Sequence, residues 1–213
     1  MAILIDGKKT AQDIKNEIAA RVAEIKQEGG KQPHLAAILV GEDGASQTYV
    51  GAKVKACEDV GMYSILERHP ADLSEKALLA RINELNHDKN IHGILVQLPL
   101  PKHIDSHRVI EAIAPEKDVD GLTTASMGRL MRGVDSLVPC TPLGVLRLLQ
   151  HYGAQTVGKR AVVVGRSHLV GLPLAVLLAR KGIDATVTLA HSRTDDLAAV
   201  CRAADILISA TGQ

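Results

Sequence analysis

Apolar residues along this chain switch between a helical and a strand-like period. Ile14, Ile18, Val22 and Ile25 recur at helical spacing until Gly29-Gly30 stops the run. "HLAAILVG" (34–41) then reads as a buried strand. A helix from about Ser46 to Val60 follows, turning Val50, Val54 and Cys57 inward and ending at Gly61. "MYSILER" (62–68) is the next strand. Asp72 and Glu75 have the D-x-x-E spacing of a capping box, opening a helix with Leu78, Ile82 and Leu85 on one face. "HGILVQ" (92–97) is a third strand, ended by "LPLP", and a short helix near 106–113 leads into the polar loop "PEKDVDGL".

After that loop the pattern restarts. "PCTPLGVLRLLQHYG" reads as a turn and then a helix started by Pro142 and ended by Gly153. "RAVVVG" (160–165), "VGLPLAVLLARKG", "DATVTLA" (184–190), a helix over 196–203 and "ADILIS" (204–209) alternate strand with helix. Alternation on both sides of 115–140 predicts an α/β fold of two domains with largely parallel sheets, dividing near Gly121. The predicted domains are 1–121 and 122–213.

Composition sharpens this picture. The hydrophobic fraction is 46%, yet aromatics are 1%, with no Trp and no Phe, so the core is aliphatic. Such a core suits buried parallel strands between helices. The net charge of +1 offers no global field for nucleic acid or an anionic membrane. Cys57, Cys140 and Cys201 are scattered and unpaired in spacing, which fits reduced thiols and neither zinc nor a disulfide frame. No apolar run approaches the ~20 residues of a membrane span, and "MAILIDGKKT" is not a leader peptide. A cytoplasmic protein is expected. The nine histidines show no metal spacing, so no metal is expected.

Candidate chemistry gathers in two places. "VVVGRSHLVGLP" (162–173) runs from a strand through a glycine turn into a helix start, where backbone N–H groups and the helix dipole favour a pyrophosphate. Gly165 is present, Ser167 holds the second glycine's place and Gly171 falls one residue late, so a nucleotide site and a plain strand–helix turn both remain open. The next strand ends in His191-Ser192-Arg193-Thr194, without the acid that bonds a ribose 2′-OH. Arg166 and Arg193 could together receive a 2′-phosphate, which favours NADP; the alternative is two solvated surface charges. In the first half, Tyr49 and Lys53 share a helix face at i, i+4. Gln97 ends a strand, and Asp118 and Asp120 follow in a loop on the same rim. Singly, Lys53 reads as an exposed lysine and Asp120 as a turn former; their combination points to a site. Cys140 has no evident base partner.

These motifs carry a family resemblance. "YVGAKVKACEDVGM", "GILVQLPLP", "PEKDVDGL", "PCTP", "VVVGRSHLVGLP", "HSRT" and "ADILISATGQ" stand in an order and spacing that resembles the bifunctional methylenetetrahydrofolate dehydrogenase/methenyltetrahydrofolate cyclohydrolase family, over essentially the whole chain. The resemblance implies NADP-dependent oxidation of 5,10-methylenetetrahydrofolate to the 5,10-methenyl form, and its hydrolysis to 10-formyltetrahydrofolate. Both steps of this one-carbon metabolism would use a cleft between a folate-binding and a Rossmann-like domain. By matching position it implies catalytic Lys53, held by Gln97 and near Tyr49, whose ring packs along the folate. Asp120 would bind the pterin, Val96 and Leu98 would line the substrate, and Gly165, Arg166, Ser167, Ser192 and Arg193 would bind NADP. It also implies tetrahydrofolate substrates, a homodimer, and links to purine, methionine and histidine biosynthesis.

Leu122 and Leu137 depart from aromatics common in the family. Family members also continue for several dozen residues past the position of Gln213, so a longer polypeptide, or a partner covering the open strand edge, is expected. Two alternatives stand beside the main reading. A short-chain dehydrogenase also has YxxxK, but places its glycine fingerprint before that pair. A folate- or nucleotide-binding module of the same fold would lack turnover.

Overall fold

The computed structural model describes residues 2–211; Gly212 and Gln213, which end the last motif, lie outside them. The chain divides into two compact units, one spanning Asp6–Val119 and the other comprising the rest. In the first, helix α1 (Gly7–Gln27) is capped by Asp6, whose side chain accepts from the Lys9 N–H. Strands β1 (His34–Val40), β2 (Tyr63–His69) and β3 (Gly93–Val96) form a parallel sheet in the order β2-β1-β3. β1 is central and buried from Leu35 to Val40, the physical reason for its unbroken apolar run.

Helices α2 (Gly44–Asp59), α3 (Glu75–His87) and α4 (Ser106–Glu111) complete the unit. Leu78, Ile82 and Leu85 pack with Ile38 and Ile94 in one core cluster, while Val50 packs with Leu35, Ala37 and Leu95 in another. The face read for α1 is only partly covered: Val22 is buried, but Ile18 is 40% exposed.

The expected Asp72 cap is wrong. A turn closed by Leu73 N–H to the Pro70 carbonyl occupies that stretch, so α3 starts later. Ser74 caps it by accepting from the Ala77 N–H at 3.2 Å. Glu75 is thereby the first helical residue, and its carboxylate accepts instead from Arg108 at 2.6 Å and from the Asp105 N–H at 2.8 Å.

The second unit opens with α5 (Thr124–Arg132), a helix the apolar pattern did not reveal, capped by Thr123 and ended by Gly133 at φ 66°. Helix α6 (Cys140–His151) begins at Cys140 rather than Pro142. Pro142 falls inside the first turn, where its missing N–H breaks no bond. Strands β4 (Arg160–Val164), β5 (Thr186–Ala190) and β6 (Ile206–Ser209) form a parallel sheet in the order β5-β4-β6, with α7 (Gly171–Ala179) and α8 (Leu197–Arg202) as connections. Leu146 of α6 and Leu174, Leu177 and Leu178 of α7 pack with Ala161 and Val163 of β4. Among the described residues no helix is long and apolar enough to cross a membrane.

Candidate active site

Tyr49 and Lys53 stand one turn apart on α2, and the structure brings them into contact. The Lys53 Nζ lies 4.5 Å from the Tyr49 ring centroid, within cation–π range. Tyr49 is 55% exposed and Lys53 half-buried, so the ring shields one side of an ammonium that stays reachable from solvent. No carboxylate pairs with Lys53 among the described residues.

Gln97 leaves the end of β3 with its backbone N–H still bonded to the Ile38 carbonyl of β1 at 2.9 Å. Its Nε2 donates to the Leu98 carbonyl at 2.6 Å, while its Oε1 is buried with no hydrogen-bond partner. A buried acceptor left unmatched costs about 1–3 kcal/mol, which marks the position as built for a donor. Gln97 and Lys53 are not hydrogen-bonded to each other here: the structure supplies a lone acceptor and a lone donor. Val96 is buried and Leu98 half-buried beside Gln97.

The two aspartates of the loop differ. Asp118 is 1% exposed and its backbone bridges to Ile94, so it extends the sheet. Asp120 is half-buried, and its Oδ1 lies 3.9 Å from the Cys140 thiol, which donates to it. Sequence reasoning missed this pairing because twenty residues separate the two.

The second constellation is the turn between β4 and α7. Gly165 has φ +119°, and a Cβ there would sit 2.3 Å from the Ala210 carbonyl oxygen. A Cβ on Gly171 would sit 2.0 Å from the Gly165 carbonyl oxygen. The turn therefore excludes side chains at both positions, as a backbone approaching a pyrophosphate requires. Ser167 does more than replace a glycine: its Oγ accepts from the Val170 N–H and its carbonyl from the Leu172 N–H. The start of α7 carries no side-chain cap.

At the end of the neighbouring strand β5, Thr194 Oγ1 accepts from the His191 N–H at 2.8 Å, and His191 Nδ1 from the Arg193 N–H at 3.2 Å. Ser192 and Arg193 are exposed at the tip of this closed loop, and Arg166 is exposed after β4. Val164 and Ala190 are register partners, so both turns leave the same edge of the sheet. The nearby Asp196 caps α8 by accepting from the Ala199 N–H at 3.0 Å. The Thr194 contribution was legible only as the three-residue spacing of a side-chain turn.

The model of "Tetrahydrofolate dehydrogenase/cyclohydrolase, catalytic domain" matches residues 5–120, and that of its "NAD(P)-binding domain" matches 139–213. The chain is similar to the bifunctional protein FolD of Cupriavidus metallidurans, 58% identical over 212 residues, covering 100% of this chain and 73% of the relative. FolD of Flavobacterium johnsoniae is 55% identical over 211 residues, covering 98% and 72%. Among solved structures, the bifunctional enzyme FolD of Campylobacter jejuni aligns with TM-score 0.95 at 44% identity, covering 99% of this chain and 74% of that one. The Trypanosoma brucei N5,N10-methylenetetrahydrofolate dehydrogenase-cyclohydrolase, complexed with NADP cofactor and an inhibitor, aligns with TM-score 0.93 at 41% identity, covering 100% and 72%.

Proposed function

Since the chain belongs to the tetrahydrofolate dehydrogenase/cyclohydrolase family, we propose that Lys53, Tyr49, Gln97 and Asp120 carry its chemistry, and that Gly165, Arg166, Ser167, Ser192 and Arg193 hold its cofactor. The protein is a bifunctional enzyme. It oxidises 5,10-methylenetetrahydrofolate to the 5,10-methenyl form with NADP and hydrolyses that product to 10-formyltetrahydrofolate. Its substrates are folates.

The glycine cradle fits a dinucleotide, since both of its close approaches forbid a Cβ. NADP, when bound, supplies the hydride acceptor for the first step. The chain's part in that step is positioning. The uncapped start of α7 faces anionic charge favourably, and the exposed guanidinium groups of Arg166 and Arg193 suit a 2′-phosphate.

Hydrolysis asks more of the side chains. Water adds to the cationic methenyl carbon and loses one proton. As the carbon–nitrogen bond of the five-membered ring breaks, the remaining hydroxyl proton leaves to form the formyl carbonyl and the ring nitrogen takes up one proton. One proton is released overall. Lys53 is the group we assign to the proton transfer to the ring nitrogen, passed through Nζ. Gln97 Oε1 offers the acceptor that would aim the Lys53 ammonium. The Tyr49 face supports the same ammonium and packs along the folate. Asp120 would accept the adjacent N–H and amino donors of the pterin, with Val96 and Leu98 as the apolar wall.

The observation that carries this reading is the Lys53–Tyr49 contact at 4.5 Å together with the unmatched Gln97 Oε1. Lys53→Met tests it: methenyl hydrolysis should be abolished while folate binding, retained through Tyr49 and Asp120, survives better. Normal hydrolysis by that variant would end the assignment. The same reading takes a cytoplasmic homodimer as the working form, for which the exposed Leu207 of β6 offers apolar surface; a monomer by light scattering would remove it.

A further inference from the structure

At the amino-terminal edge of the first sheet, three ring side chains stand in a row across three strands. Tyr63 opens β2 and is the register partner of His34, which opens β1. His92 immediately precedes Gly93, the partner of Leu35, and donates its N–H to the His34 carbonyl at 2.9 Å. Matched positions on parallel neighbours point to one face about 4.8 Å apart. The His34 and Tyr63 rings lie 5.8 Å apart and tilted by 56°. The row lines a groove of about 410 Å³ whose other walls are Lys31, Gln32 and Asn90. The groove is open to solvent, with Lys31, Tyr63, Asn90 and His92 all exposed along it.

Core packing does not account for this row. The chain has three tyrosines and no other aromatic residue of the Phe or Trp kind, yet Tyr63 is 57% exposed. No carboxylate among the described residues lines the groove. Among those residues the Tyr63 hydroxyl, both imidazoles and the Asn90 side-chain amide make no hydrogen bond within the chain and are at least partly open to solvent, while the Asn90 backbone N–H donates to Asp88 Oδ1 at 2.8 Å. Lys31 Nζ reaches only the Lys89 carbonyl, at 3.5 Å. The groove is also remote from the proposed chemistry: Gln97 bonds β1 at Ile38, toward the strand's other end.

We infer that this groove binds a planar heteroaromatic ring carrying an anionic group, the chemistry shared by purine mononucleotides and pteridine carboxylates. The Tyr63 and histidine rings supply faces for stacking. Asn90 and the Tyr63 hydroxyl supply donors and acceptors for the ring's edge. Lys31 receives the anion. The site does not depend on the enzyme reading above.

The test titrates AMP and folic acid separately into the NADP⁺-saturated protein and follows backbone amide shifts. Either probe should move the amides of Lys31, His34, Tyr63 and Asn90, and the probe that does so identifies the source. Lys31→Ala should weaken AMP but not adenosine. Tyr63→Ala should weaken the responding probe roughly 5- to 150-fold, the effect of losing one base–ring stack, with both catalytic rates unchanged. Shifts confined to other residues, no shift at millimolar probe, or unaltered affinity in Tyr63→Ala would each overturn the inference.

Discussion

Replacing Gly171 by alanine puts the cofactor turn to a direct test. The new Cβ would lie 2.0 Å from the Gly165 carbonyl oxygen, 2.6 Å from its carbon and 3.0 Å from the Arg166 nitrogen. All three are backbone atoms, so no flexible side chain can yield. The turn would have to open by about 1 Å or more, and overpacking of that kind costs about 1–3 kcal/mol. The same opening moves Arg166 and Ser167, and misplacing a positioning group by about 1 Å can cost ~100-fold. Gly171→Ala should therefore melt lower, bind NADP⁺ about 10- to 100-fold more weakly and lose dehydrogenase rate in proportion. Hydrolysis of preformed methenyltetrahydrofolate, assigned to Lys53, should change little. Gly144→Ala in α6 is the control: nothing lies within 4 Å of its added Cβ, and removing a glycine's freedom there should stabilise by about 0.4–1 kcal/mol. Calorimetric NADP⁺ titration, thermal melts and the two rate assays read all of this. A Gly171→Ala protein with parental NADP⁺ affinity and melting temperature would refute the reasoning.

Two further predictions rest on charge. Arg166→Ala should weaken NADP⁺ far more than NAD⁺, because a charge-assisted bond to the 2′-phosphate is worth about 1.5–3 kcal/mol; equal losses for both would mean that Arg166 does not read that group. Glu67 of β2 accepts three hydrogen bonds from Arg81, at 2.6, 2.9 and 3.1 Å, which hold its carboxyl below the ordinary value against the opposing effect of burial. That stabilisation is full above the unfolded glutamate pKa of about 4.3 and is lost as pH falls through the lower folded value. Glu67→Gln should thus cost about 1 kcal/mol at pH 7, a modest figure because Arg81 is 36% exposed, and progressively less in acid. Equal urea-midpoint losses at both ends of that range would contradict it.

What was legible locally was the backbone's own bookkeeping. The run through Leu35–Val40, the Leu78/Ile82/Leu85 face and the Gly165 turn each announce themselves, because burial and hydrogen bonding repeat with a fixed period. Helix α5 escaped because its interior face mixes the buried Ser126 with Met127 and Leu130, so the apolar positions alone show no helical period. The cap of α3 was misread because Asp72 and Ser74 both satisfy the local rule, and the turn at Pro70–Leu73 chooses between them.

Strand order and the partners of single atoms were decided elsewhere. Nothing in the spacing of Gly171 tells that it touches the Gly165 carbonyl, or in Gln97 that its Oε1 is sealed from water. Nor does local pattern place Tyr63, His34 and His92 side by side, or the Cys140 thiol on Asp120. Those facts depend on sheet register and on packing between segments far apart in the chain. Local periodicity encodes which face a residue turns inward, since that is set by neighbours three or four positions away. Which atom it meets there is set by the rest of the fold.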